Sequence, residues 1–265
     1  MAYILHACGT RGTRTICGKE FLKYGGHTTC FVFKENDHAF VIDCGSGIEN
    51  AKQILSNCTQ IDVVLTHLHL DHIIGILNND AFPFTAKTKI HSTFMKWDLY
   101  DGLKTFPRKP FWPIQAAKYS YINITRNTRY IFRGIELRIY ESNHPDGASI
   151  LKIKVNGKLI HFISDYEHGE YTDPESYLSD ELRVPCDLLF YDGTYTPQEY
   201  SLCKGYGHST YEEGAKFAIE TKAKKLYIIH HDPERTDDQL DVMEDEAKKL
   251  FENTEFVKTG QIIEI

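Results

Sequence analysis

Residues 66–72 read THLHLDH, directly after the apolar run Ile61–Leu65. That run has the make-up of a buried strand. At its exit three imidazoles and one carboxylate fall within seven positions. On an extended segment residues i and i+2 share a face, so His67 and His69 point the same way. Asp71 and His72 follow as the chain turns into a short helix through Ile73–Leu77, aiming a carboxylate and a third imidazole at the same region. Burying several ionisable groups without a partner is costly. A shared cation removes that cost, and a nitrogen and oxygen donor set without thiolate suits zinc, with manganese or iron next.

Working outward, β-type runs precede the cluster at Tyr3–Cys8, Thr28–Phe33 and Ala39–Asp43, the last running into DCGSG. Ser46–Leu55 has a helical pattern, with Ser46 expected as its cap and Glu49 three residues on. Strands are expected at Ile135–Tyr140, Ser149–Val155 and Leu159–Ser164, the latter two joined by the hairpin signal Asn156-Gly157. Asp173-Pro174 opens a helix. The last third alternates strand Asp187–Tyr191, helix Tyr211–Glu220, strand Lys225–Ile229, helix Glu234–Phe251 and a terminal strand. Strands first and β-α-β units after them, in each half, imply sheets covered by helices on their outer faces. No linker or repeat divides the chain, so residues 1–265 are read as one domain.

Composition narrows the function classes. A chain with 42% hydrophobic and 25% charged residues can bury a sizeable core. No apolar run approaches the ~18 residues of a membrane span, and the opening residues do not read as a signal peptide. Seven cysteines without a CxxC pair argue for a reducing compartment. The expectation is a cytoplasmic protein with no membrane partner. A net charge of −7 likewise argues against a stable nucleic-acid partner. The charge is uneven: eight Lys/Arg against Asp98 and Asp101 make residues 96–133 +6, leaving −13 elsewhere. With Trp97, Tyr100, Phe106, Phe111 and Trp112, this basic stretch reads as a solvated insertion. The alternative is a lid for an anionic, aromatic ligand.

Four further donors sit where strands are expected to end: His144 in SNHPDG, Asp165 in FISD, His208 in GHST and His230 in YIIHHD. The ordered series HxHxDH, then His, Asp and His, resembles the metallo-β-lactamase fold superfamily over almost the whole chain. The resemblance implies an α/β protein, an αββα four-layer sandwich of two mixed β-sheets flanked by helices. It also implies two Zn2+ per chain, or Mn2+ in their place, at one edge. Carried over by position, His67, His69 and His144 would hold the first ion. Asp71, His72 and His230 would hold the second, with Asp165 bridging both. Asp43 would orient the histidine loop without touching an ion. His231 is the rival of His230, which is preferred because it directly follows the strand, as the family's last ligand does.

An aspartate at 165 rather than a cysteine speaks against true β-lactamases, and His69 stands where flavodiiron proteins carry Glu. Glyoxalase II-like thioesterases and lactonases share the ligand set. GHST, residues 207–210, resembles the His-Ser-Thr element of tRNase Z and related phosphodiesterases. There a non-ligand histidine protonates the leaving oxygen and an upstream acid orients it, which nominates His208 and Asp192. The local alternative makes His208 a neighbour of a helix cap built from Ser209 and Glu212.

GTRGT (9–13), FLKYGGHTTC (21–30), DGTYTPQEY (192–200), GYGHSTYEEG (205–214) and HHDPERTDD (230–238) resemble a narrower group. These are the small bacterial and phage cyclic-nucleotide phosphodiesterases that include anti-Pycsar proteins. The resemblance implies a homodimer that converts nucleoside 3′,5′-cyclic phosphates, such as cyclic CMP and cyclic UMP, to 5′-monophosphates, countering an antiviral signal. His208, Asp192 and Asp71 would form the catalytic set, while Phe111, Trp112 and Tyr195 are candidates for the base. His27 departs from the Asn of many relatives. The rival activities are a tRNase Z-type endonuclease, which needs a long basic arm, and a lactone or thioester hydrolase.

Overall fold

The computed structural model describes residues 2–77, 79–83, 85–93, 103, 119–168 and 178–265. The strand that exits into the histidine cluster, β4 (Gln60–Leu65), lies inside a seven-stranded sheet. The sheet also contains β1 (Ile4–Gly9), β2 (Cys30–Glu35), β3 (His38–Ile42), β5 (Lys87–Thr93), β6 (Ser120–Ile124) and β14 (Ile262–Glu264), in the order β14-β1-β2-β3-β4-β5-β6. A second sheet holds β7 (Arg129–Phe132), β8 (Ile135–Ser142), β9 (Ala148–Val155), β10 (Lys158–Ile163), β11 (Leu188–Asp192), β12 (Lys225–Ile229) and β13 (Thr254–Phe256). Its order is β13-β12-β11-β10-β9-β8-β7. Both sheets are mixed. Pairing is antiparallel from β14 to β3 and from β7 to β10, and parallel from β3 to β6 and from β10 to β13.

Strand periodicity explains the layering. Phe31 and Phe33 of β2, Phe40 of β3, Phe162 of β10 and Phe190 of β11 face inward and fill the core between the sheets. The alternate residues Cys30, Val32, Val41, Val63 and Leu65 pack outward on helix α1 (Ile48–Leu55) and the turn carrying Ile73 and Ile76. On the other side Leu189, Tyr191 and Ile228 pack beneath α4 (Tyr211–Glu220), which follows the short α3 (Pro197–Tyr200), and α5 (Asp237–Leu250). Strands buried on both faces read as near-continuous apolar runs, which is why these were visible in the sequence. The result is the four-layer sandwich of the metallo-β-lactamase fold.

Several details differ from the sequence reading. Helix α1 starts at Ile48, and Ser46 does not cap it. Ser46 instead exchanges hydrogen bonds with Thr28, whose backbone N–H donates to Ser46 Oγ at 2.9 Å. A short helix, α2 (Leu70–Ile73), begins earlier than expected and continues as a 3-10 turn over Ile74–Leu77, so Asp71 and His72 are helical. The last helix starts at Asp237, with a capping box between Thr236 and Gln239. Strands β5, β6 and β7 were not expected. Of the stretch 96–133, residues 120–132 therefore lie largely in edge strands of the two sheets, and only the part before them remains a candidate insertion. Leu103 and Tyr119 apart, that part, with Phe111 and Trp112, lies outside the described residues, as does the helix expected at Asp173-Pro174.

The parallel strands place the site. Asp43 follows β3, His67 follows β4, Asp165 follows β10, Asp192 ends β11 and His230 follows β12. His144 lies in the β8–β9 turn. The carboxyl ends of both sheets thus open onto one edge of the sandwich, the place where loops from a rigid scaffold collect function.

Candidate active site

Three of these strand-end residues leave the sheet through a left-handed backbone: Asp43 (φ 56°), Asp165 (φ 52°) and His230 (φ 60°). Side chains with a Cβ avoid that region, and outliers of this kind cluster at functional sites. Here the bend swings each side chain over the sheet edge. The donors gather into two adjoining groups, His67, His69 and His144, and Asp71, His72, Asp165 and His230; within each, the donor atoms all lie within 4.8 Å of one another. His69 Nδ1 is 3.2 Å from His144 Nε2. His230 Nε2 is 3.2 Å from Asp165 Oδ1 and 3.4 Å from Asp71 Oδ2, and His72 Nε2 is 3.3 Å from each carboxylate. Asp165 also lies 3.9 Å from His67 Nε2, which sets it between the groups.

Four of the five imidazoles are oriented from behind. His72 Nδ1 donates to Asp43 at 2.8 Å, His67 Nδ1 to Thr66 Oγ1 at 3.1 Å, His144 Nδ1 to the Gly207 carbonyl at 2.8 Å, and His230 Nδ1 to Thr194 Oγ1 at 3.1 Å. Such partners fix the tautomer that leaves Nε2 facing the cluster. Asp71 accepts the Thr13 N–H at 2.7 Å, while Gly12 packs so tightly on His230 that a Cβ would come within 2.2 Å of the ring. Asp43 acts as expected, touching His72 and Thr66 rather than the cluster's centre.

Do these residues fit metal ions? The Nε2 atoms of His67, His72 and His230 are buried and hydrogen-bond to nothing. Burial and the neighbouring His72 push His67 well below the ordinary imidazole range. Burial alone would lower His72 and His230 too, but the Asp165 carboxylate outweighs it and raises both, helped by Asp71. The carboxylates demand positive charge at these nitrogens, a demand that divalent cations meet. The all-imidazole and carboxylate donor set suits zinc or manganese. It fits.

His208 borders the donors, with a ring nitrogen within 4.8 Å of ligand atoms of His144 and Asp165 and of His230. Its Nδ1 donates to Asp192 Oδ2 at 2.9 Å, and its ring stacks on His230 at 4.7 Å. Asp192 is fully buried and accepts from Thr194 Oγ1 at 2.7 Å and from the Asp165 N–H at 3.0 Å. Burial would raise its carboxyl, yet His208 and His230 hold it below the usual carboxylate range, so it is ionised. The helix cap is not built from Ser209 and Glu212: Thr210 Oγ1 accepts the Glu213 N–H of α4. His208 therefore faces a cavity of about 560 Å³ walled by Thr13, Arg14, Pro145, Tyr195, Tyr206, Asp232 and Glu234.

The structure also separates residues that the sequence left ambiguous. His231 points away, donating to the Val257 carbonyl at 2.8 Å and stacking on Phe256. Tyr195 lines the cavity and His27 does not. Thr13, Thr66, Thr194, Arg14 and Tyr206 were not singled out; only Thr66 adjoins a donor in sequence, and the others reach the site only once the strands are paired. Arg11 is fully buried, and its guanidinium donates to the Gly25, Asp232 and Arg235 carbonyls at 2.8, 2.8 and 2.7 Å. It thereby fastens the loop after His230.

Known proteins share this architecture. A Ribonuclease Z of Enterococcus faecalis is 22% identical over 284 aligned positions, spanning 87% of this chain and 88% of its own. The metallo-beta-lactamase fold protein YhfI of Bacillus subtilis superposes with a TM-score of 0.73 at 16% identity, with full coverage of both chains. A diphosphatase of the PhnP family gives 0.71 at 15% identity, covering 100% of this chain and 98% of that one. The model of the beta-lactamase superfamily domain matches residues 38–231, a span that runs from β3 past His230 and takes in every donor of the cluster. The chain belongs to the beta-lactamase superfamily.

Proposed function

We propose that this hydrolase cleaves nucleoside 3′,5′-cyclic phosphates to 5′-monophosphates. The observation that carries the reading is the His208–Asp192 pair at 2.9 Å, set beside the donor cluster with His208 lining the adjoining cavity. His67, His69 and His144 would hold one cation, and Asp71, His72 and His230 the other, with Asp165 shared. When bound, such ions lower the pKa of water toward about 7 and neutralise charge on the phosphate oxygens.

The chain's own residues do the rest. Attack on phosphorus expels O3′, an alkoxide that needs a proton near neutral pH. With Nδ1–H held by ionised Asp192, a protonated His208 can pass its Nε2 proton to O3′, and Asp192 stabilises the imidazolium before transfer. Asp71 keeps its carboxylate ionised: burial opposes this, but His72 and His230 pull its carboxyl well below the ordinary range. The cavity beside His208 lies within the ~300–1,000 Å³ usual for small-molecule sites. Among the described residues its rim carries Asp232 and Glu234 against Arg14, which pairs with Glu234 at 2.9 Å, so a long polyanion meets net negative charge from them. A singly charged cyclic nucleotide is repelled less.

The second reading, a tRNase Z-type endonuclease, is favoured by the names of the relatives. Incubating the purified chain with a panel of purine and pyrimidine cyclic nucleotides and with precursor tRNA separates the two. Chelator-sensitive release of 5′-monophosphate, without tRNA cleavage, is the expected result; efficient tRNA cleavage with intact cyclic nucleotides overturns the proposal. The homodimer implied by the resemblance is checked by light scattering on the same sample.

A further inference from the structure

The loop that presents His208 is held by a carboxylate outside the donor cluster. Glu167 is buried, and among the described residues no lysine or arginine pairs with it. Its two oxygens instead accept backbone N–H groups, Oε1 from Gly205 at 2.7 Å and Oε2 from Gly207 at 2.9 Å. The Tyr200 hydroxyl, whose nearer acceptor is the His168 carbonyl, also lies 3.2 Å from Oε1. Both glycines are left-handed, with φ of 88° and 87°. The carboxylate therefore clamps a tight turn around Tyr206, whose side chain is thrown out to the cavity wall.

The clamp reaches three loops of the site. Glu167 lies two residues after Asp165, and its backbone exchanges hydrogen bonds of 2.8 Å with Asn143, the neighbour of His144. Gly207, one of its two partners, turns its carbonyl to His144 Nδ1, and a Cβ at that position would come within 2.1 Å of the same nitrogen. The next residue is His208. A buried carboxylate is expensive unless each lone pair is used, and here the uses converge on one loop. We infer that Glu167 is a positioning residue that sets the approach of His208 to the leaving oxygen by fixing the Gly205–Gly207 turn.

The inference rests on His208 being the proton donor, and leaving-group dependence tests the two separately. A cyclic nucleotide expels an alkoxide that needs a proton, whereas bis(p-nitrophenyl) phosphate expels a phenolate that does not. The Glu167→Gln chain, whose side chain puts an NH2 donor in place of one of the two acceptor oxygens, is compared with His208→Ala on both substrates. Misplacing a catalytic group by about 1 Å can cost ~10²-fold. The expected result is a fall of about tenfold or more in kcat on the cyclic nucleotide, with kcat on the p-nitrophenyl ester within about twofold and bound metal unchanged. Tyr200→Phe, which removes the hydroxyl beside the same carboxylate, moves the ratio in the same direction by less and serves if Glu167→Gln does not fold. Equal losses on both substrates, or no loss on either, overturn the inference while His208→Ala still discriminates. If His208→Ala fails to discriminate, the proton-donor reading falls and takes this inference with it.

Discussion

His208, like His72, has its Nδ1 held by a buried carboxylate, but unlike the donor imidazoles its ring lines the cavity beside the cluster. His208→Ala should lower kcat on a cyclic nucleotide about 10²–10⁴-fold while metal analysis returns the wild-type content. Loss of metal instead would make it a ligand. Gly12 is a second residue-scale test. A Cβ there would overlap the His230 ring at 2.2–2.7 Å, so Gly12→Ala must displace that imidazole. The expectation is metal affinity weakened by about tenfold or more, read by competition with a chromogenic chelator, with the circular dichroism spectrum unchanged.

At the scale of elements, the end of the first sheet away from the cluster carries a polar network. Asp62 of β4 accepts from His38 of β3 and from His91 of β5, each at 3.0 Å, and Gln60 adds a third donor at 2.8 Å. Burial works to raise its carboxyl, but these three donors hold it below the usual carboxylate range. A depressed folded-state pKa contributes stability above the unfolded-state value of about 3.9, lost as pH falls toward the folded-state value. Asp62→Asn should therefore cost about 3 kcal/mol at pH 7 and flatten the acid side of the stability profile. Urea denaturation at pH 3 and pH 7 measures both, and equal pH dependence in the two proteins would contradict the assignment.

The same network explains what the sequence concealed. β5 reads KTKIHST, with little apolar alternation, because among its buried positions Thr88, Ile90, His91 and Ser92 only Ile90 is apolar, and His91 is satisfied by Asp62. β6 and β7 are short edge strands inside a basic stretch, so charge outweighed pattern there. By contrast β2, β3, β4, β10, β11 and β12 announced themselves as apolar runs, being covered on both faces. The donors were legible as well, since HxHxDH is hard to explain as packing. The clamp by Glu167 was not, because a glutamate gripping two glycine N–H groups about forty residues away leaves no local signature.

Across the whole molecule, the core between the sheets holds the two halves of the site in register. Phe190 is at its centre, with ring centroids 5.8 Å from Phe31, 5.6 Å from Phe162 and 5.0 Å from Tyr227. Phe190→Ala should cost about 3–5 kcal/mol, measured by denaturant titration. A loss under about 1 kcal/mol would mean that the sheets do not depend on this contact. The cluster itself draws His67, His69, Asp71 and His72 from the first sheet and His144, Asp165 and His230 from the second, so the cations would bridge the halves. The most direct test is metal content and cyclic-nucleotide hydrolysis measured together, before and after chelation and after zinc or manganese is restored. The account predicts about two ions per chain, with hydrolysis lost on chelation and regained with the metal; a chain that binds no ion, or that hydrolyses equally well without one, contradicts it.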